Sequence, residues 1–327
     1  MLSFTPLAPL CPVDAGVPGV VLDMIQRCGY TGIEASLTDL GSSPSARRET
    51  VQRLADRRMS LVCGVYSSWA DYDGRWNNLH TSPAEQLEVL ADQIVSVADA
   101  VSADGNQGVL LHVNAHTGGD GWDEDTAARF YTDAAGMNNL LPLYPAVPTA
   151  NGSALYRRPT LSYETHRARP LGAFFTAARL CERVDGLRLT LDYSHWVLSS
   201  ERLVGVGSGA PLFEQRLLDA LIERVDHVHA RVGSPQSPQL PVDGGPHWWQ
   251  VCRDAHADVW RRCWVSQARR GAEWVTATPE YGPPPEYTPV DVEGVPLYDS
   301  VEQTERASAS LHSIHASIKQ PPPHHTV

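Results

Sequence analysis

Apolar and polar positions follow a repeated order along the chain: a short apolar run, a polar loop, and a segment whose apolar residues have helical spacing. One such segment places Leu87, Leu90, Ile94 and Val97 three or four positions apart, as on one face of a helix. Short apolar runs that alternate with amphipathic helices are typical of βα units around a parallel sheet. The predicted strands are residues 3–10, 31–37, 60–69, 108–116, 161–167, 189–196, 226–233 and 273–282. The predicted helices are residues 17–28, 47–58, 87–98, 122–137, 170–184, 211–225, 247–270 and 300–319.

Eight strands in alternation with eight helices predict a single (β/α)8 barrel, a TIM barrel, in the α/β class. The length of 327 residues fits, because one such barrel commonly exceeds about 250 residues. We expect the barrel to cover residues 1–319 and residues 320–327 to form a disordered tail. Residues 142–159 are rich in turn formers and longer than a usual loop before a strand, which indicates an insertion. In this fold the active site lies at the C-terminal ends of the strands.

Charge and composition narrow the function. The net charge of −12 disfavours nucleic acid as a partner, because phosphate binding needs a surface rich in Lys and Arg. Lys319 is the only lysine and lies in the last predicted helix or the tail, so lysine is a poor candidate for a general base or a Schiff base. No run approaches the roughly 18 apolar residues of a membrane span. The N-terminus lacks the basic segment of a signal peptide, so we expect a cytoplasmic protein without membrane contact.

Four predicted strands end in side chains that can bind a metal ion. These are Glu164, Asp192, His229 and Glu280. Three carboxylates and one imidazole form an oxygen-rich set that suits Mn, Mg or Co. Each residue alone could be an ordinary polar residue at a strand end. All four at one barrel mouth favour a metal site, because a cluster of buried carboxylates without a cation is costly.

The same strand ends resemble a known family. ETHR on the fifth strand, the Asp192/His195 pair in DYSH, HVHAR on the seventh strand and PEYGPPP at the eighth are similar to xylose-isomerase-like barrels of the sugar phosphate isomerase and epimerase group. The resemblance covers about residues 1–318. It implies that Glu164, Asp192, His229 and Glu280 bind one divalent metal ion, with Mn2+ expected and Mg2+, Co2+ or Zn2+ as alternatives. It also favours His229 over His227, because the family's ligand is the histidine nearer the strand end.

The resemblance implies further roles. Glu164 and Glu280 fall on the proton-transfer positions of the family's ketose epimerases, and His195 and Arg231 fall near its substrate contacts. For Arg231 a structural salt bridge is the alternative. The remaining candidates for substrate contact are His112, Asn114 and His116, which are two positions apart on one strand face, together with His166 and Trp69. The three strand residues could instead support other groups by hydrogen bonds, and Trp69 could simply pack between barrel and helices.

These features predict a metal-dependent isomerase or epimerase that acts on a sugar or related keto-polyol, by proton abstraction beside a metal-bound carbonyl. A related lyase or C-glycoside-cleaving enzyme would use the same step. A metal-dependent phosphoesterase of the endonuclease IV type and a non-catalytic barrel subunit stay open as well. The expected partner is a small carbohydrate, and homo-oligomerisation is compatible with the sequence.

Overall fold

The computed structural model describes residues 16–67, 82–102, 106, 108–145, 156–272, 274–282, 284 and 287–318. The first predicted strand (3–10), Trp69 and the predicted tail lie outside the described residues. The structure has a single α/β domain. Among the described helices, none is long and apolar enough to cross a membrane.

Parallel strands form the centre of the domain. The described strands are β1 (Gly32–Ser36), β2 (Ser60–Tyr66), β3 (Leu110–His116), β4 (Tyr144–Pro145), β5 (Tyr156–Arg157), β6 (Thr160–Glu164), β7 (Leu189–Asp192), β8 (Val225–His229) and β9 (Ala277–Thr278). Within the described residues, seven of them pair in parallel in the order β1-β2-β3-β6-β7-β8-β9 and make a nearly closed barrel. The antiparallel pair of β4 and β5 lies within the predicted insertion. The predicted TIM barrel is therefore confirmed.

Helices alternate with these strands. They are α1 (Gly19–Arg27), α2 (Leu37–Leu40), α3 (Pro44–Asp56), α4 (Pro83–Val101), α5 (Glu124–Gly136), α6 (Phe174–Arg183), α7 (Tyr193–Ser200), α8 (Leu212–Ile222), α9 (His247–Arg269) and α10 (Ser300–Ile318). Helix α4 buries Leu90, Ile94 and Val97, as their spacing predicts. Ser82 and Glu85 cap its first turn reciprocally, which satisfies two backbone N–H groups that have no partner within the helix.

Strand β3 shows how the barrel positions polar groups. It is buried along its whole length, and its side chains alternate between the helix layer and the barrel interior. Val113 and Ala115 belong to the apolar core. The alternate positions His112, Asn114 and His116 make their hydrogen bonds and ion pairs with residues of other strands, across the interior. A polar column thus rises through the barrel toward the C-terminal ends of the strands.

The strand prediction for 189–196 was wrong in its second half. Strand β7 ends at Asp192, whose side chain accepts a hydrogen bond from the Ser194 backbone N–H and so caps helix α7. His195 therefore lies in the first turn of a helix, not on a strand. The eighth predicted strand is also shorter than expected, since β9 covers only Ala277–Thr278; Pro279 follows it and has no N–H to continue the ladder.

Candidate metal centre

Three side-chain atoms converge at the C-terminal end of the barrel. Nδ1 of His229 lies 3.4 Å from Oε1 of Glu164 and 3.2 Å from Oε2 of Glu280. We call these three atoms the ligand triangle, and all of them lie within 4.8 Å of one another. Strands β6 and β8 carry the first two residues, whereas Glu280 follows β9. The side chain of Glu164 is fully buried, but that of Glu280 is 31% exposed and borders the mouth of the barrel.

The triangle has the properties of a cation site. Each of its atoms is buried, and within the described part of the chain none has a partner in hydrogen-bond geometry, although His229 Nδ1 lies at ion-pair distance from both carboxylate oxygens. A buried polar atom without a partner costs about 1–3 kcal/mol, and more when it is charged. Two carboxylate oxygens and one imidazole nitrogen are ligands that bind Mn2+, Mg2+ or Zn2+. The residues therefore fit a divalent metal ion.

The second oxygen of Glu164 is held from inside the barrel. His116 Nε2 lies 2.5 Å from Glu164 Oε2, and Asn114 Nδ2 donates to the same oxygen at 3.0 Å. Burial raises the pKa of the Glu164 carboxyl, but the positive charges of His116 and His229 outweigh it and hold the pKa well below its usual range. The Tyr66 ring stacks on His116 at 4.7 Å. Glu164 is thus an ionised carboxylate with one oxygen fixed and the other directed into the triangle.

A second polar cluster lies beneath the triangle, around Glu34 of β1. Both oxygens of Glu34 face Nε2 of His229, at 3.0 and 3.1 Å. Nε2 of His227 lies 3.2 Å from Oε2, Thr278 Oγ1 donates to the same oxygen, and Asn114 Nδ2 donates to Oε1 at 3.2 Å. We call Glu34 with these four partners the Glu34 cluster. Every oxygen of its carboxylate has at least two neighbouring donors.

Mutual charge determines the pKa values of this cluster. Burial raises the pKa of Glu34, but the adjacent His229 and His227 outweigh it and place the pKa well below its usual range. Burial likewise lowers the pKa of His229, but the carboxylates of Glu34, Glu164 and Glu280 outweigh it and raise the pKa well above its usual value. His229 therefore interacts favourably with anions on both sides, and a metal ion at Nδ1 would replace a proton there.

Asp192, the fourth predicted ligand, does not join the triangle in this arrangement. Its Oδ2 accepts a hydrogen bond from Arg231 Nη2 at 2.7 Å and lies 3.3 Å from His195 Nε2. The same Nη2 of Arg231 lies 3.8 Å from Glu280 Oε2, so the Asp192–Arg231 pair borders the triangle. Arg231 is thus engaged by a buried carboxylate at the position where a substrate contact was predicted.

His166 and His195 form a wall beside Glu164, with their rings 4.1 Å apart. Nδ1 of His166 donates to the backbone carbonyl of Arg167 at 2.6 Å. His195 lies between two guanidinium groups, 3.1 Å from Arg167 Nη1 and 3.2 Å from Arg231 Nη2. Burial, the neighbouring histidine for His166 and the arginines for His195 lower both pKa values well below the usual range. Glu164, His166 and His195 could by distance hold an ion, but two arginines beside His195 oppose a second cation there.

His112 lies deeper in the barrel than the other predicted contacts. Its ring nitrogens are 2.5 Å from Thr160 Oγ1 and 2.5 Å from Ser162 Oγ. Burial, with a further contribution from His227, lowers the pKa of His112 to about 3.

Sequence reasoning did not assign a role to Glu34, although one acid inside the apolar run GIEAS was a signal for it.

Solved structures of xylose-isomerase-like TIM barrels are similar to nearly the whole chain. A xylose isomerase domain protein from Alicyclobacillus acidocaldarius is 14% identical, with a TM-score of 0.55 over 98% of this chain and 100% of that chain. A xylose isomerase-like TIM barrel protein from Mycobacterium smegmatis, in complex with magnesium, is 13% identical, with a TM-score of 0.57 over 98% and 97%. An L-ribulose 3-epimerase is 13% identical, with a TM-score of 0.53 over 97% and 95%.

At these identities the likeness shows the fold, and the fold matches the family that the sequence resembles. No protein-family model matches the sequence, and no curated protein matches it.

Proposed function

We propose that this protein is a divalent-metal-dependent isomerase or epimerase that acts on a sugar or related keto-polyol. The observation that carries the proposal is the ligand triangle, in which three buried metal-binding atoms meet without hydrogen-bond partners among the described residues. The similarity in fold to an L-ribulose 3-epimerase supports the same class of reaction, and the similarity to a magnesium-bound barrel supports a divalent metal ion.

Glu164, His229 and Glu280 are the proposed ligands, and Asp192 stays a predicted fourth ligand beside them. A bound divalent ion acts as a Lewis acid that polarises a substrate carbonyl and acidifies the adjacent carbon. Mn2+ is the ion that we propose, with Mg2+, Co2+ and Zn2+ as alternatives for the same donor set.

The two glutamates are the proposed proton carriers. They approach the triangle from different elements, Glu164 from β6 and Glu280 from the loop after β9. Both are candidates to accept the proton, since an ionised carboxylate within reach of a C–H group is a general base. His116, 2.5 Å from Glu164 Oε2, is placed to stabilise either protonation state of that carboxylate. Glu280, which borders solvent, is the carboxylate that substrate meets first.

Polar side chains beside the triangle provide the remaining contacts that we propose for substrate. His195, His166 and Arg231 place polar atoms beside the triangle, and Asn114 and His116 line its floor. With pKa values well below the usual range, His166 and His195 are neutral rings at neutral pH, suited to hydroxyl groups. His112 contacts the barrel interior instead, so its proposed role is to support strands β3 and β6.

Solvent exchange tests the proposal. The protein, loaded with Mn2+, is incubated in deuterated water with a panel of keto sugars, and deuterium at carbon adjacent to the carbonyl is measured by NMR. We expect incorporation for at least one sugar, and its loss in Glu164→Gln and Glu280→Gln. Near-normal exchange in both variants contradicts the mechanism, and no exchange with any sugar contradicts the proposed reaction.

A further inference from the structure

His229 can face the ligand triangle only if its two ring nitrogens have different roles. A neutral imidazole carries one N–H donor and one lone pair, and a metal ion binds the lone pair. In this structure Nδ1 points into the triangle, whereas Nε2 points toward the carboxylate of Glu34. The partner of Nε2 therefore decides which nitrogen is available to a metal ion.

Asn114 Nδ2 donates to one oxygen of Glu34 and Thr278 Oγ1 to the other, and both oxygens also face Nε2 of His229, so in this arrangement the carboxylate accepts hydrogen bonds. Nε2 of His229 must then keep its proton, and Nδ1 is the nitrogen that gives up its proton to offer a lone pair to a metal ion. Asn114 Nδ2 is also 3.3 Å from Nε2, but its two hydrogens already serve Glu34 and Glu164. Nothing in this arrangement requires Nε2 to accept.

We propose that Glu34 is a positioning residue for the metal centre: its carboxylate accepts the Nε2–H of His229 and thereby presents the Nδ1 lone pair to the ligand triangle. The inference rests on the metal site of the proposed function. Outer carboxylate partners of this kind fix both the tautomer and the ring orientation of a metal-binding histidine.

The surroundings of Glu34 favour this role over two competing roles. A second metal site at Glu34, His227 and His229 would have to displace donors from the carboxylate oxygen that it bound, because each oxygen of Glu34 already has at least two neighbouring donors. A purely structural role would be served by a neutral side chain, because a carboxylate buried without Lys or Arg is costly to desolvate. The charge of Glu34 instead acts on the ring of His229, which also belongs to the triangle.

Binding of Mn2+ by three forms of the full chain tests the role. Its dissociation constant is measured at fixed pH by competition with a fluorescent chelator, in wild type, Glu34→Gln and Thr278→Val. Removal of an outer partner weakens metal binding by about 10–100-fold, so Glu34→Gln should show a loss of that size. Thr278→Val removes a different donor to the same carboxylate while leaving the His229 contact, and it should bind Mn2+ like wild type. At saturating Mn2+ the kcat of Glu34→Gln should recover, because Glu34 contacts a ligand and not the substrate.

The outcomes separate the inference from the proposed function. Wild-type affinity in Glu34→Gln overturns the role of Glu34 and leaves the metal site standing. An equal loss in Thr278→Val also overturns it, because the effect would then be general damage to the barrel interior. No Mn2+ binding by wild type overturns both the inference and the metal site.

A second measurement decides the question if Glu34→Gln does not fold. In wild-type protein labelled with 15N-histidine and loaded with diamagnetic Zn2+, the ring of His229 should show a proton on Nε2 and the metal on Nδ1. Metal on Nε2 would overturn the proposal without any variant.

Discussion

The ligand triangle and the Glu34 cluster are built from the same residue types, share His229, and differ in hydrogen bonding. In the Glu34 cluster, four side chains provide the donors, and each carboxylate oxygen has at least two of them. In the triangle, the three converging atoms lack such partners among the described residues. A buried polar cluster whose hydrogen bonds are all made stabilises one arrangement of its side chains. A buried cluster that lacks hydrogen bonds is destabilising, and a ligand that binds its atoms can remove that destabilisation. Hydrogen-bond satisfaction, rather than residue type, therefore distinguishes the proposed binding site from its support.

Glu280→Gln should give the largest effect, because it removes a charged ligand and a proton carrier from the triangle. Loss of a general acid or base lowers turnover by about 10²–10⁴-fold. Steady-state kinetics with the substrate found by the exchange screen measure the loss. Glu88→Gln, on the exposed face of α4, is the matched control and should keep full activity. Equal turnover in the two variants would remove Glu280 from the mechanism.

Arg231→Ala should lower the free energy of unfolding, because Arg231 belongs to the hydrogen-bonded part of the site. It leaves Asp192 buried without its arginine partner, and such a loss typically costs about 3–5 kcal/mol. Urea unfolding of the metal-free protein measures the change. The double variant Arg231→Ala/Asp192→Asn removes the orphaned charge and should regain part of the stability. Unchanged stability together with impaired substrate binding would instead favour a direct substrate contact for Arg231.

Chelation should destabilise the wild type by emptying the triangle. A metal at a free concentration a hundredfold above its Kd stabilises the native state by about 2.7 kcal/mol. For a chain of this size that corresponds to a shift of several degrees in Tm, at about 2–4 °C per kcal/mol. Thermal melts with and without chelator measure it. His229→Ala should abolish the difference, whereas His227→Ala, which removes only a partner of Glu34, should keep most of it.

Mild acid should lower the free energy of unfolding through His112, a hydrogen-bonded histidine outside the triangle. Burial lowers its pKa to about 3, against about 6.5 in the unfolded chain, so between these values only the unfolded state binds the proton. The contribution of neutral His112 to the free energy of unfolding is complete above pH 6.5. It declines as the pH falls toward 3 and is lower by about 1.4 kcal/mol at pH 5.5. Urea unfolding at pH 7.5 and 5.5 should show this pH dependence reduced by that amount in His112→Gln. The same pH dependence in both proteins would contradict a neutral, buried His112.

Much of this molecule follows from the sequence alone. The alternation of apolar runs and amphipathic segments determines the barrel, because strand and helix periods are local properties of the chain. The period of two along β8 places His227 and His229 on one face, and parallel strands bring Glu164, His229 and Glu280 to the same end. These relations need no knowledge of distances across the barrel.

Only the tertiary structure decided which groups satisfy one another. Glu34 and His229 are 195 positions apart, and their contact depends on the curvature that brings β1 opposite β8. Asp192 likewise caps helix α7 with Oδ1 and accepts from Arg231 with Oδ2, and local strand patterning predicted neither contact. Strand period fixes the face on which a side chain lies, but barrel closure and register set the distances over which hydrogen bonds form. Orientation matters as well as distance, since a hydrogen bond weakens steeply when its angle falls below about 120°. His227 Nε2 and Glu34 Oε2 are 3.2 Å apart, as are His229 Nδ1 and Glu280 Oε2, but only the first pair is a hydrogen bond.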